Sequence, residues 1–87
     1  MHFEGAVIKE QGVTFGIVVC KPSVLNSSSD RTNMVTFGQQ ALGLMPIVLM
    51  AQDARGVPTY WGHRDIVDFL SHIDPARIPW MRYSVAA

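Results

Sequence analysis

The sequence predicts an α+β domain in which two helices pack on one face of a single mixed or antiparallel sheet of about five strands. Three observations support this fold class. The 87 residues are 48% hydrophobic, which is enough for one small core. Five short segments have strand composition, and two others place apolar residues at helical spacing. Turn residues separate the segments in the order β-β-α-β-β-α-β, and we interpret residues 1–87 as one domain.

The first two strands are predicted at residues 3–9 and 13–20, joined at Gly12 in a hairpin. One face of the second strand is entirely apolar: Val13, Phe15, Ile17 and Val19. Its other face is also largely uncharged. This pattern is typical of a strand that is central or covered on both sides.

The first helix is predicted to begin within residues 26–30 and to end at Leu42. Pro22 ends the preceding strand, and a run of Asn, Ser and Asp then supplies a cap and an acid for the first turn. Met34, Val35, Phe37, Ala41 and Leu42 form one apolar stripe. Gly43 suits the position after the last turn.

The second half of the chain repeats the pattern of two strands and a helix, and then adds a last strand. A strand at 47–52 and a shorter one at 57–61 flank a type I turn at 53–56. Pro58 lacks a backbone donor, which favours either an edge position or a bulge for the shorter strand. The second helix is predicted at 64–73, before Asp74 and Pro75, and the last strand at 80–85.

The charge balance and the single cysteine bound the class of protein. Seven basic and seven acidic residues give a formal net charge of zero, so we expect neither a nucleic acid nor an anionic membrane as partner. The N-terminus lacks the features of a signal peptide, and no apolar run approaches the ~20 residues of a membrane span. Cys20 is the single cysteine and cannot form an intramolecular disulfide, and a chain with one cysteine fits a reducing compartment. We expect a soluble, cytoplasmic protein.

Charged residues are scarce for so small a chain. They make up 16% of the sequence, against about 25% in typical domains. A surface with few charges and no net charge is poorly suited to a solvated monomer. We therefore expect part of the surface to be covered by a second copy of the chain, in a dimer or a larger homo-oligomer.

An aromatic cluster in the last third of the chain supplies the predicted binding surface. Tyrosine, tryptophan and arginine are enriched at interface hot spots. We expect these residues to contact a second copy or a small, partly apolar ligand at the subunit boundary. The candidate residues are Tyr60, Trp61, Trp80, Arg82 and Tyr83.

An alternative function is thiol redox chemistry at Cys20. The segment from Cys20 to Ser23 resembles the Cys-x-x-Ser variant of a thioredoxin-like site. Residues 56–59 resemble the loop that carries the cis-proline of that family, which would be Pro58, and residues 62–70 resemble its last helix. The chain departs from the family in lacking a Cys-x-x-Cys pair and in having only a tight turn before Pro58.

Other chemistry has weaker support. His63, Asp65, Asp68 and His72 include metal-ligating types, but without zinc-site spacing they fit a solvated helix face better. Residues 26–30 could meet an anion at a helix N-terminus, although capping explains them better. We find no phosphate-binding loop and no catalytic triad motif, and we expect no metal and no cofactor. The sequence therefore favours a binding module over an enzyme.

Overall fold

The computed structural model describes residues 2–10 and 12–85, which form one five-stranded mixed sheet with helices against it. The elements in chain order are β1 (His2–Glu10), β2 (Val13–Val19), α1 (Pro22–Leu25), α2 (Ser28–Leu42), β3 (Ile47–Gln52), β4 (Pro58–Trp61), α3 (Arg64–Ser71), a 3-10 turn (Pro75–Arg77) and β5 (Met81–Ser84). The strand order in the sheet is β4-β3-β2-β1-β5. The predicted α+β class and the number of strands are confirmed.

The sheet is built from two hairpins that meet in a parallel pair. β1 and β2 are antiparallel neighbours, as are β3 and β4, while β2 and β3 run parallel. The crossover from β2 to β3 passes through α1 and α2. β5 pairs antiparallel with β1, so β4 and β5 form opposite edges of the sheet. The predicted edge position of Pro58 is confirmed, since its missing N–H then interrupts no central ladder.

The expectation that both helices pack on one face is wrong. α2 lies against Val18, Ile47 and Leu49, whereas α3 lies against the side chains on the opposite face of the same strands. The chain leaves β4 at one edge of the sheet and reaches β5 at the other. With α2 already covering one face, α3 and the 3-10 turn cross over the other. The middle of β2 and all of β3 except its last residue are thereby buried on both faces.

Two elements, the short helix α1 and the 3-10 turn, were not predicted. Pro22 marks the end of β2, but it also occupies the first turn of α1, where its missing N–H costs nothing. Arg31 Nη1 donates a hydrogen bond of 2.7 Å to the carbonyl oxygen of Leu25, which ties the end of α1 to the first turn of α2.

The predicted helix and turn signals around α2 and β3 are confirmed. Ser27 is the N-cap of α2, and its Oγ accepts a hydrogen bond of 3.3 Å from the N–H of Asp30. Gly43 ends the helix at a φ of 113°, in the region that favours glycine. In the turn after β3, Asp53 Oδ1 accepts hydrogen bonds from the N–H groups of Arg55 and Val57.

No helix in the described part of the chain combines the length and the hydropathy that a bilayer crossing requires.

Candidate functional site

A pocket of about 340 Å³ opens on the face of the sheet that α3 covers, beside the first two turns of that helix. We call it the α3 pocket. It is lined by Glu10, Val13, Phe15, Pro46, His63, Asp65, Ile66 and Phe69.

Side chains from the β1–β2 hairpin form one wall of the α3 pocket. Glu10 and Val13 are directly paired across the two strands, and their side chains therefore lie on the same face. Phe15 lies two residues beyond Val13, again on that face, because side chains alternate along a strand. The hairpin register thus places one acidic and two apolar side chains together.

The helix supplies the other wall of the pocket. Asp65, Ile66 and Phe69 occupy the first two turns of α3, and the spacing of three to four residues brings them to one side. The rings of Phe69 and Phe15 meet edge to face, with centroids 6.3 Å apart. Phe15 is only 2% exposed and Phe69 is half-buried, so this aromatic pair forms an apolar floor between the helix and the sheet.

The rim of the pocket is polar and negatively charged. Glu10, His63 and Asp65 are exposed. The salt bridge in the described residues joins Arg55 and Asp53, so neither Glu10 nor Asp65 has a basic side chain within 4.0 Å there. Asp65 lies in the first turn of α3, where its carboxylate also interacts favourably with the helix dipole.

The five residues predicted to form one aromatic surface lie on both faces of the sheet, and none lines the α3 pocket. Tyr60 and Trp80 pack against the core on the α3 side, and Arg82 lies on that face of β5. Trp61 and Tyr83 lie on the α2 side, but at opposite edges of the sheet. The structure therefore does not bring the five together.

The contacts of the two tryptophans are specific. Trp80 is half-buried, and its Nε1 donates a hydrogen bond of 2.9 Å to the carbonyl oxygen of Pro75. This bond anchors the segment before β5 to the 3-10 turn. Trp61 is 40% exposed and lies beneath the Arg31 guanidinium. The Arg31 Cζ is 5.0 Å from the centroid of the Trp61 ring, so the two side chains form a cation–π contact.

The two tyrosines differ in their surroundings. Tyr83 stacks on Phe3 with ring centroids 5.3 Å apart, on the side of β1 and β5 that α2 leaves partly open. The hydroxyl of Tyr60 is buried with no hydrogen-bond partner in the described residues, and burial raises its pKa.

The geometry around Cys20 does not favour thiol chemistry. Burial raises the pKa of the Cys20 thiol, and a raised pKa leaves less of the reactive thiolate at neutral pH. Ser23 lies in the four-residue helix α1. No peptide bond in the described residues is cis, so Pro58 lacks the isomer that the thioredoxin resemblance implies. Pro58 instead begins β4 and is paired with Gln52.

The histidines and aspartates in α3 and at its two ends separate into two groups. His63 and Asp65 line the pocket, whereas Asp68 and His72 do not. The Nδ1 of His72 lies 2.7 Å from the carbonyl oxygen of Asp68. A carbonyl can only accept, so this nitrogen donates to the backbone. Within residues 2–10 and 12–85, no three His, Cys, Asp or Glu side chains converge as metal ligands would.

Sequence reasoning missed the pocket because its residues come from three separate segments. Phe15, Ile66 and Phe69 read as core positions, and Glu10 reads as part of a turn. His63 and Asp65 read as part of a solvated helix face. The second strand did carry one signal for a helix on the other face of the sheet, because a strand that is apolar on both faces is usually covered on both sides.

No protein-family model, no curated protein and no solved structure matches this chain.

Proposed function

We propose that this chain is a small binding module and that the α3 pocket binds a small, partly apolar ligand. The pocket itself carries this proposal. Its volume of about 340 Å³ falls within the range of about 300–1,000 Å³ that is usual for small-molecule sites. Its aromatic floor and few polar rim groups match the usual composition of such sites.

The proposal is tested by amide NMR spectra recorded while a library of small aromatic and aliphatic compounds is added. We expect binders to shift the amide signals of Val13, Ile66 and Phe69, because these residues line the pocket. Val13 is 49% exposed, so Val13→Trp fills the pocket with little disturbance to the core. We expect this variant to lose binding.

Val57→Trp is the matched control. Val57 is 53% exposed and lies outside the pocket, so the same substitution there should leave binding unchanged. Binders that shift other regions of the spectrum, or that bind Val13→Trp as well as the native chain, would contradict the proposal.

A second proposed function is self-association, which the open part of the α2 side of the sheet favours. Val7 and Met81 are exposed by 38% and 59%, on the same face of the neighbouring strands β1 and β5. The stacked rings of Phe3 and Tyr83 continue this apolar surface. Together with the low charge content, it fits a surface that a second copy covers.

Light scattering during size-exclusion chromatography tests self-association across a dilution series. We expect a dimer or a larger assembly that Met81→Glu weakens, because a carboxylate would be buried at the interface. Val57→Glu places the same charge on an apolar position outside this surface and should keep the native mass. A native chain that is monomeric at all concentrations would contradict this second proposal.

A further inference from the structure

We infer that the ligand class for the α3 pocket is a small organic cation: a protonated amine carried on an aromatic or aliphatic body. This inference rests on the proposed binding function and adds the charge and shape of the ligand. It follows from two features of the pocket: the aromatic floor, and the rim carboxylates, which have no ion-pair partner within residues 2–10 and 12–85.

The floor selects the body of the ligand. The edge-to-face pair of Phe15 and Phe69 offers an apolar surface that a third ring or an alkyl chain can cover. Ile66 and Val13 flank this surface from the helix and from the strand. A ligand that is polar throughout would lose hydration here without gaining hydrogen bonds.

The rim selects the charged group. Glu10 and Asp65 reach the pocket from its two walls, and neither has an ion-pair partner within 4.0 Å in the described residues. With His63 counted as neutral, these two carboxylates give the lining a formal charge of −2. An ammonium group at the mouth would meet both carboxylates while the body rests on the floor, whereas a carboxylate or phosphate would be repelled by both.

The N-terminus of α3 acts in the opposite sense but is too weak to reverse the preference. A helix N-terminus is equivalent to roughly +0.5 of an elementary charge, and that charge would favour an anion. Asp65 already lies in the first turn and offsets it. The rim therefore stays negative overall.

The inference is tested with three probes that share one ring system and differ in charge: tryptamine, indole-3-ethanol and indole-3-acetate. Exposed ion pairs contribute about 0.2–1 kcal/mol each. Two such pairs predict that tryptamine binds about two- to thirty-fold more tightly than indole-3-ethanol in NMR titrations. Indole-3-acetate should bind most weakly. The preference for tryptamine should shrink as salt screens the rim.

The variant pair Glu10→Gln and Asp65→Asn removes both charges at nearly constant shape. We expect the double variant to lose the preference for tryptamine over indole-3-ethanol. Glu4→Gln is the control, because Glu4 is an exposed acid on the same face of β1 and outside the pocket. It should keep the preference.

The outcomes separate the inference from the proposal beneath it. If indole-3-ethanol binds in the pocket as tightly as tryptamine, or if the double variant keeps the preference, the cation inference is overturned and the binding function stands. If none of the three probes shifts the pocket signals and the compound library also yields no binder there, both are overturned.

Discussion

Substituting Gly38 tests the close packing of α2 against the sheet. Two opposing effects decide the outcome: alanine favours the helix over glycine, but its methyl group would contact the sheet. Gly38 is buried in the middle of α2, where the helix comes closest to the sheet. If α2 lay free of the sheet, Gly38→Ala would stabilise the chain by about 1 kcal/mol, because alanine favours the helix over glycine by that amount. In the structure the sign is reversed.

The magnitude follows from the contacts that a new methyl group would make. A Cβ at Gly38 would lie 2.9 Å from Val18 Cγ2 and 3.1 Å from Ile47 Cγ2, whereas carbon atoms pack at about 3.5–4.0 Å. Val18 and Ile47 are 0% and 3% exposed, which leaves them little room to move. Overpacking costs about 1–3 kcal/mol, so we expect a net loss of about 1 kcal/mol for Gly38→Ala. Gly38→Val should lose more than about 2 kcal/mol.

The assay is urea unfolding followed by tryptophan fluorescence and by circular dichroism, with the slope checked for constancy among variants. A loss of about 1 kcal/mol lowers the thermal midpoint of a chain this size by about 4–8 °C. Thr36→Ala, at an exposed position of the same helix, is the control and should stabilise by about 0.5 kcal/mol. Gly38→Ala above native stability would refute the close contact between α2 and the sheet.

Three further predictions test other parts of the structure. Burial raises the pKa of Cys20 and of Tyr60 above their ordinary values of 9.0 and 10.0, so the folded chain favours the neutral form of both groups. The free energy of unfolding should therefore fall as the pH rises above about 9, where the unfolded chain begins to ionise. This fall should be smaller in a Cys20→Ala, Tyr60→Phe double variant. A native Cys20 that reacts with a thiol reagent as fast as unfolded chain would contradict its burial. Trp80→Phe removes the hydrogen bond to Pro75 and should lower the free energy of unfolding in urea by about 1–2 kcal/mol; an unchanged value would show that the bond contributes nothing. Asp53→Ala removes the acceptor for two turn N–H groups and should cost about 1 kcal/mol in the same assay, whereas a native-like midpoint would contradict the turn geometry.

The order of the larger elements was predictable because each carries a local signal. The alternation along the second strand, the Ser27 cap and the Gly43 end of α2 all act within a few residues, and the structure contains each of them. Pro58 also identified an edge strand correctly. α1 was missed because proline has the same sequence signature at the end of a strand as in the first turn of a helix.

The side of the sheet on which α3 packs has no comparable local signal. Its apolar stripe shows which side of the helix is buried, but not which face of the sheet receives it. That choice depends on the strand order, which places β4 and β5 at opposite edges. The same reason explains the pocket: Glu10 and Phe69 are far apart in the chain, and only the crossing of α3 brings them together.

The most direct test of the binding function is to locate a bound ligand by magnetisation transfer between ligand protons and protein methyl groups. We expect tryptamine ring protons to contact the methyl groups of Val13 and Ile66, because both line the α3 pocket. Contacts to Val7 and Met81 instead would place the ligand on the opposite face of the sheet and contradict the account.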